Sequence, residues 1–100
     1  MNLEELRTFL EVVETGSLVM AAKRLNVTPS TVSARISGLE EEIGQKLLHR
    51  NKSGAELTSP GFKFKRYAEV MTQLWRQARY EVSLPRGFTG VCNVGLEFDL

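Results

Sequence analysis

The chain has 100 residues, 42% of them hydrophobic and 25% charged, with a formal net charge of +1. That length supports one compact domain with an appendage rather than two full domains, and the composition is that of an ordinary globular protein, neither disordered nor disulfide-built. No apolar run approaches the length needed to span a bilayer, and the acidic start MNLEELRTFL does not read as a secretory signal, so the cytoplasm is the expected compartment and a membrane is not an expected partner.

Asn2 with Glu5 three residues later forms a capping pattern, and Leu6, Phe9, Leu10 and Val13 recur at helical spacing up to Gly16, which predicts a first helix. Ser17 is placed to cap a short second helix with Leu18, Ala21, Ala22 and Leu25 facing inward, where the small Ala21-Ala22 pair lets another helix approach closely. Asn26-Val27-Thr28 breaks that pattern. Thr28 then caps a third helix with Pro29 at its first position, where proline loses no hydrogen bond, and Val32, Ile36, Leu39 and Ile43 form an apolar stripe ending at Gly44. Two helices joined by this short turn make a helix-turn-helix.

The far side of the third helix is unusual for a solvated face, which normally carries long charged residues. Ser30, Ser33, Ala34, Ser37 and Gly38 point away from the stripe, with Thr31 and Arg35 on its shoulder. Small hydroxylated side chains let a helix sit deep in the major groove, and Arg35 reaches farther. A plain serine-rich solvent face is the alternative reading of these residues taken alone. From Ser17 to Gly38 the chain carries Lys23, Arg24 and Arg35 and no acid, whereas Glu4, Glu5, Glu11, Glu14 and the run Glu40, Glu41, Glu42 lie outside that stretch. Such segregation is compatible with one basic face on a balanced protein.

Lys46 to Arg50 and Ala55 to Leu57 read as two short strands joined by a turn at Asn51-Lys52-Ser53-Gly54, a hairpin of the wing type. Arg50 and Lys52 at or near its tip are candidates for phosphate or minor-groove contact, or else a charged turn kept soluble. Thr58 or Ser59 caps a fourth helix, with Pro60 in its first turn, that runs to about Leu84, where Pro85-Arg86-Gly87 ends it. Phe64, Tyr67, Met71, Leu74 and Ala78 recur at spacings of three and four, widened by Trp75 and Val82, so this face is expected to pack on a partner helix. Gly90 to Phe98 has strand composition without a partner strand and reads as the first strand of a further domain.

Catalysis is disfavoured. Ser33, His49 and Cys92 are the nucleophile or base candidates, and they fall on separate elements with no orienting acid. The single cysteine and single histidine form neither a disulfide nor a metal-ligand cluster, so no metal and no cofactor is expected in these residues. A pure protein-interaction module is the other class, disfavoured by the acid-free stretch and the wing cations.

The run Ala21-Ala22-x-x-Leu25-x-x-Thr28-x-Ser30-x-Val32-Ser33-x-x-Ile36-x-x-Leu39-Glu40-x-x-Ile43-Gly44-x-x-Leu47-Leu48-x-Arg50, closed by Leu57-Thr58-x-x-Gly61, resembles the signature of LysR-type transcriptional regulators. Gly90-x-x-x-Val94-Gly95 is similar to the first strand of that family's effector domain. A winged domain carried by another sensor, as in molybdate-responsive regulators, is the runner-up, and the long helix and the Gly90 strand favour LysR. The resemblance implies a mainly α fold. Residues 1–58 would be a winged helix-turn-helix of three helices and a two-stranded wing, with the helix-turn-helix at about 18–43. Residues 59–84 would be a dimerising linker helix, and 85–100 a hinge and first effector-domain strand. It implies a sequence-specific regulator that binds a palindromic operator in double-stranded DNA as a homodimer, or a tetramer at full length, with RNA polymerase a further partner and a small-molecule effector for the C-terminal domain. The DNA-contacting set would be Thr28, Pro29, Ser30, Thr31, Ser33, Ala34, Arg35, Arg50 and Lys52, and the dimer set Phe64, Tyr67, Met71, Leu74, Trp75 and Ala78. The chain departs from the family pattern at Leu18 (often aromatic), Leu48 (usually phenylalanine) and Pro60 (more often small or acidic). It also departs at Pro29, where glutamine often contacts DNA, and at Ala34, where an arginine often reads it.

Overall fold

A computed structural model describes residues 1–83. The helix end at Leu84, the hinge, the strand from Gly90 and Cys92 lie outside the described residues. Six elements follow in order: α1 (Leu3–Thr15), α2 (Leu18–Leu25), α3 (Pro29–Ile43), β1 (Leu48–Asn51), β2 (Gly54–Leu57) and α4 (Ser59–Val82).

The helix boundaries are set by local chemistry. Asn2 and Glu5 form a reciprocal capping box on α1, with the Glu5 backbone N–H donating to Asn2 Oδ1 at 2.8 Å. Ser17, Thr28 and Thr58 cap α2, α3 and α4 through their hydroxyls, satisfying amides that the first turn of a helix leaves unpaired. Gly16, Asn26 and Gly44 end the first three helices in the left-handed conformation, at φ of 71°, 63° and 82°.

The core draws Leu6, Phe9 and Val12 from α1, Ala21 and Ala22 from α2, and Val32, Ile36 and Leu39 from α3, closed below by Leu47, Leu48 and Ala68. Because α1 touches α2, α3 and α4, it is buried on more than one face. Val12 and Thr8, which fall outside the stripe expected from periodicity, are fully buried for that reason. Each large side chain sunk in this way contributes about 1.5–3 kcal/mol relative to exposure.

The wing is tighter than its sequence suggests. Its antiparallel register pairs Leu48 with Leu57, His49 with Glu56, Arg50 with Ala55 and Asn51 with Gly54, leaving only Lys52 and Ser53 as the turn. The first strand starts at Leu48, two residues later than Lys46, and the Leu47 and Leu48 amides donate instead to the Glu40 carboxylate. The hairpin is tied to the α1–α2 corner by the Ala55 amide, which donates to the Gly16 carbonyl at 2.9 Å. Gly54 (φ 140°) has no room for a side chain there, since a Cβ would fall 2.3 Å from that same carbonyl oxygen.

The first half of α4 belongs to the core and the second half leaves it. Phe64 stacks tilted on Phe9 with ring centroids 5.6 Å apart, Ala68 is fully buried, and Met71 packs on the core edge. Phe64 and Met71, expected on the partner-facing stripe, are therefore turned toward their own domain. Tyr67, Leu74, Trp75 and Ala78 remain exposed.

Candidate nucleic-acid interface

Thr28 opens α3 with its hydroxyl accepting the Thr31 amide at 3.2 Å, and Thr28 and Thr31 hydroxyls lie 3.0 Å apart. Pro29, Ser30, Ala34 and Ser37 are exposed along one face, while Thr31 and Ser33 are half-buried at its edges. The first turn carries no acid, so the positive end of the helix is uncompensated and favours an approaching anion. The three consecutive acids sit at the other end, from Glu40 to Glu42.

Gly38 does not belong to the open face. It lies against α1, where a Cβ would meet Glu5 Oε2 at 2.8 Å.

Both arginines expected to reach outward are held by other elements. Arg35 Nη1 donates to Thr8 Oγ1 at 3.3 Å and lies 3.4 Å from Glu4 Oε1, so this guanidinium ties α3 to α1. Arg50 projects back from β1, with Nη1 donating to Ser33 Oγ at 3.0 Å and Nη2 3.9 Å from Glu40 Oε1. Arg50 therefore joins the wing to the middle of α3 rather than standing at the wing tip. Lys52 is exposed in the hairpin turn, beside a Ser53 amide that donates to Asn51 Oδ1 at 2.9 Å. On α2, Arg24 pairs with Glu11 at 2.8 Å, and Lys23 is exposed.

Glu40 is the residue tying the wing to α3 that sequence reasoning missed. Its carboxylate, 8% exposed, accepts the Leu47 and Leu48 amides at 2.9 and 3.2 Å and faces Lys46 Nζ at 3.9 Å as well as Arg50. The signal was present in the helical spacing, because Glu40 follows Ile36 by four residues and so points to the buried side. Among the described residues no group of His, Cys, Asp and Glu is arranged to hold a metal ion, and His49 is exposed on β1.

Three helices with a two-stranded wing, followed by a long helix whose distal half is free, define a winged helix-turn-helix domain. The family model for the bacterial regulatory helix-turn-helix protein, lysR family, matches residues 3–62, and the chain belongs to that family. The HTH-type transcriptional regulator HdfR of Shigella boydii serotype 18 is 42% identical over 83 residues, which is 83% of this chain and 30% of that protein. HdfR of Salmonella newport gives the same identity and coverage. The chain thus spans about 30% of the length of the regulators it matches. Among solved structures, the CbnR_DBD–DNA complex superposes with a TM-score of 0.80 at 32% identity, covering 82% of this chain and 94% of that one. The BenM_DBD/benA site 1 DNA complex gives 0.77 at 34% identity, with 82% and 95% covered. These relatives are named as regulators or DNA complexes, not as enzymes.

Proposed function

We propose that the chain is the DNA-binding part of a LysR-type transcriptional regulator that binds a palindromic operator as a homodimer. The observation that carries this reading is the exposed, small and hydroxylated face of α3 on a scaffold that superposes on a domain solved with DNA. In this reading α3 lies in the major groove, with Thr28, Pro29, Ser30, Thr31 and Ala34 closest to base edges and backbone, and the wing lies on the flanking phosphates through Lys52. Two copies meet through the exposed residues of α4, namely Tyr67, Leu74, Trp75 and Ala78, placing two recognition helices on one face of the duplex. The remainder of the regulator binds a small-molecule effector, and the assembly works in the cytoplasm alongside RNA polymerase. No helix among the described residues is long and apolar enough to cross a membrane.

Selection from a random duplex library by the chain tests this directly. Enriched sequences should contain inverted half-sites, and their affinity should fall steeply with salt as phosphate contacts release counterions. Recovery of no sequence above random, with weak binding insensitive to salt, would refute it and leave a protein-interaction module in its place.

A further inference from the structure

Ser33 and Arg50 come from different elements, yet their polar atoms meet. Arg50 Nη1 donates to Ser33 Oγ, which occupies a lone pair of the hydroxyl and leaves its own O–H to donate elsewhere. The guanidinium has further N–H groups, and its side chain keeps 31% of its surface open to solvent. Behind it the Glu40 carboxylate faces two cations, Arg50 and Lys46, and is held by two backbone amides. The cluster therefore carries a residual positive charge at its outer edge, next to the acid-free end of α3.

We propose that Ser33 and Arg50 together hold one phosphodiester of the bound duplex, with Glu40 as the positioning residue that sets Arg50. The proposal rests on the DNA-binding reading above. An O–H and guanidinium N–H groups held side by side, with Nη1 and Oγ 3.0 Å apart, suit a phosphate oxygen, which accepts several hydrogen bonds and brings the neutralising charge. Ser33 is then a backbone contact rather than a base reader, and base discrimination falls to others of the α3 set, Pro29, Ser30, Thr31 and Ala34. The clamp also draws its two donors from α3 and the wing, so it fixes the depth of the helix against the strand of DNA that the wing follows.

The test uses the 100-residue chain and its selected duplex, with each phosphate of a half-site replaced singly by an uncharged methylphosphonate. For the unaltered chain, one linkage should weaken binding by about tenfold or more, the range of a charge-assisted hydrogen-bond pair. Ser33→Ala and Arg50→Lys should each bind the unmodified duplex more weakly and lose most of the penalty at that same linkage. Arg50→Lys keeps the charge but not the fork that reaches Ser33 and phosphate together. Glu40→Gln, in protein shown by circular dichroism to be folded, should blunt the same linkage, a readout that loss of stability alone does not move.

Ser33→Ala removes a hydroxyl that caps no helix, so it carries the test even if an arginine variant fails to fold. Full sensitivity at every linkage in Ser33→Ala, or an altered base preference instead, overturns the clamp while leaving the DNA-binding reading intact. Effects of Ser33→Ala and Arg50→Lys at different linkages overturn it equally. Absence of any preferred duplex for the unaltered chain overturns both.

Discussion

Replacing Glu40 with alanine removes the acceptor for two amides that have no other route to water. Leu47 is fully buried and Leu48 is 2% exposed, and both donate to Glu40 Oε2. A buried donor left unsatisfied costs about 1–3 kcal/mol. Two such groups set an upper range of about 2–6 kcal/mol, reduced where water enters the space the side chain vacates. The ion pairs add little, because both lie at 3.9 Å and Lys46 is 74% exposed. The expected net loss is about 2–4 kcal/mol, a large share of the roughly 5–15 kcal/mol that holds a domain together. In a small domain that lowers the melting midpoint by about 8–30 °C. Glu40→Gln keeps a carbonyl oxygen able to accept both amides and should lose only about 1 kcal/mol. Urea unfolding followed by circular dichroism, at one fixed protein concentration so that self-association does not shift the midpoint, measures both. Glu40→Ala within about 0.5 kcal/mol of the unaltered chain, the range of an unremarkable surface change, would refute the reasoning.

Gly61→Ala should also damage the junction of wing and long helix, because the new Cβ would fall 2.0 Å from the Leu47 carbonyl oxygen. Overpacking of this kind costs about 1–3 kcal/mol or more, and a melting temperature unchanged by the substitution would show that α4 shifts freely there. Arg35→Ala should lower stability by no more than about 1 kcal/mol and leave the base preference of selected duplexes intact, since Arg35 is engaged by Thr8 and Glu4. Relaxed preference at one base pair of each half-site would show instead that this arginine leaves α1 to read DNA. The pair Leu74→Glu and Trp75→Glu, at positions 59% and 49% exposed, should convert a dimer to a folded monomer in sedimentation equilibrium at micromolar concentration and weaken operator binding steeply. A monomer mass for the unaltered chain would sink the α4 dimer.

The helix caps were legible because each is a contact over three residues. Asn2, Ser17, Thr28 and Thr58 bond to amides at fixed local offsets, and such chemistry is written in adjacent residues. Contacts across the fold were not legible. Arg35 and Arg50 have the composition of outward-reaching cations, but their hydroxyl partners stand 27 and 17 residues away, and no spacing rule reveals them. Similarly, α4 presents two adjoining apolar strips that periodicity merges into one. At about 100° per residue, Phe64, Ala68 and Met71 lie within a narrow sector, with Tyr67 and Leu74 roughly 40–60° around from it. The position of α1 decides which strip is covered. Position along the helix matters as well as angle, since Trp75 falls in the same sector as Phe64 and Ala68 and is exposed because the distal half of α4 leaves the core. Gly38 was misplaced for the same reason, being open by composition and closed by Glu5.

The rooting of α4 has a mechanical consequence. Its base is wedged under Leu47 at Gly61, bolted through Phe64 to Phe9 and sunk at Ala68, whereas the residues from Gln73 to Val82 are exposed. Those ten residues form an arm of about 15 Å at the helical rise. Because the arm is one unbroken helix rather than a hinge, a sideways load at its tip is carried to the base as torque on the whole winged body. A tilt of about 10° at the root moves the tip by roughly 2.6 Å along such an arm. In the proposed pair of chains joined along these arms, a small change in how the arms cross would therefore change the separation of the two α3 helices. The two half-sites of a duplex would be gauged by that angle, with no residue of α3 having to move within its own domain.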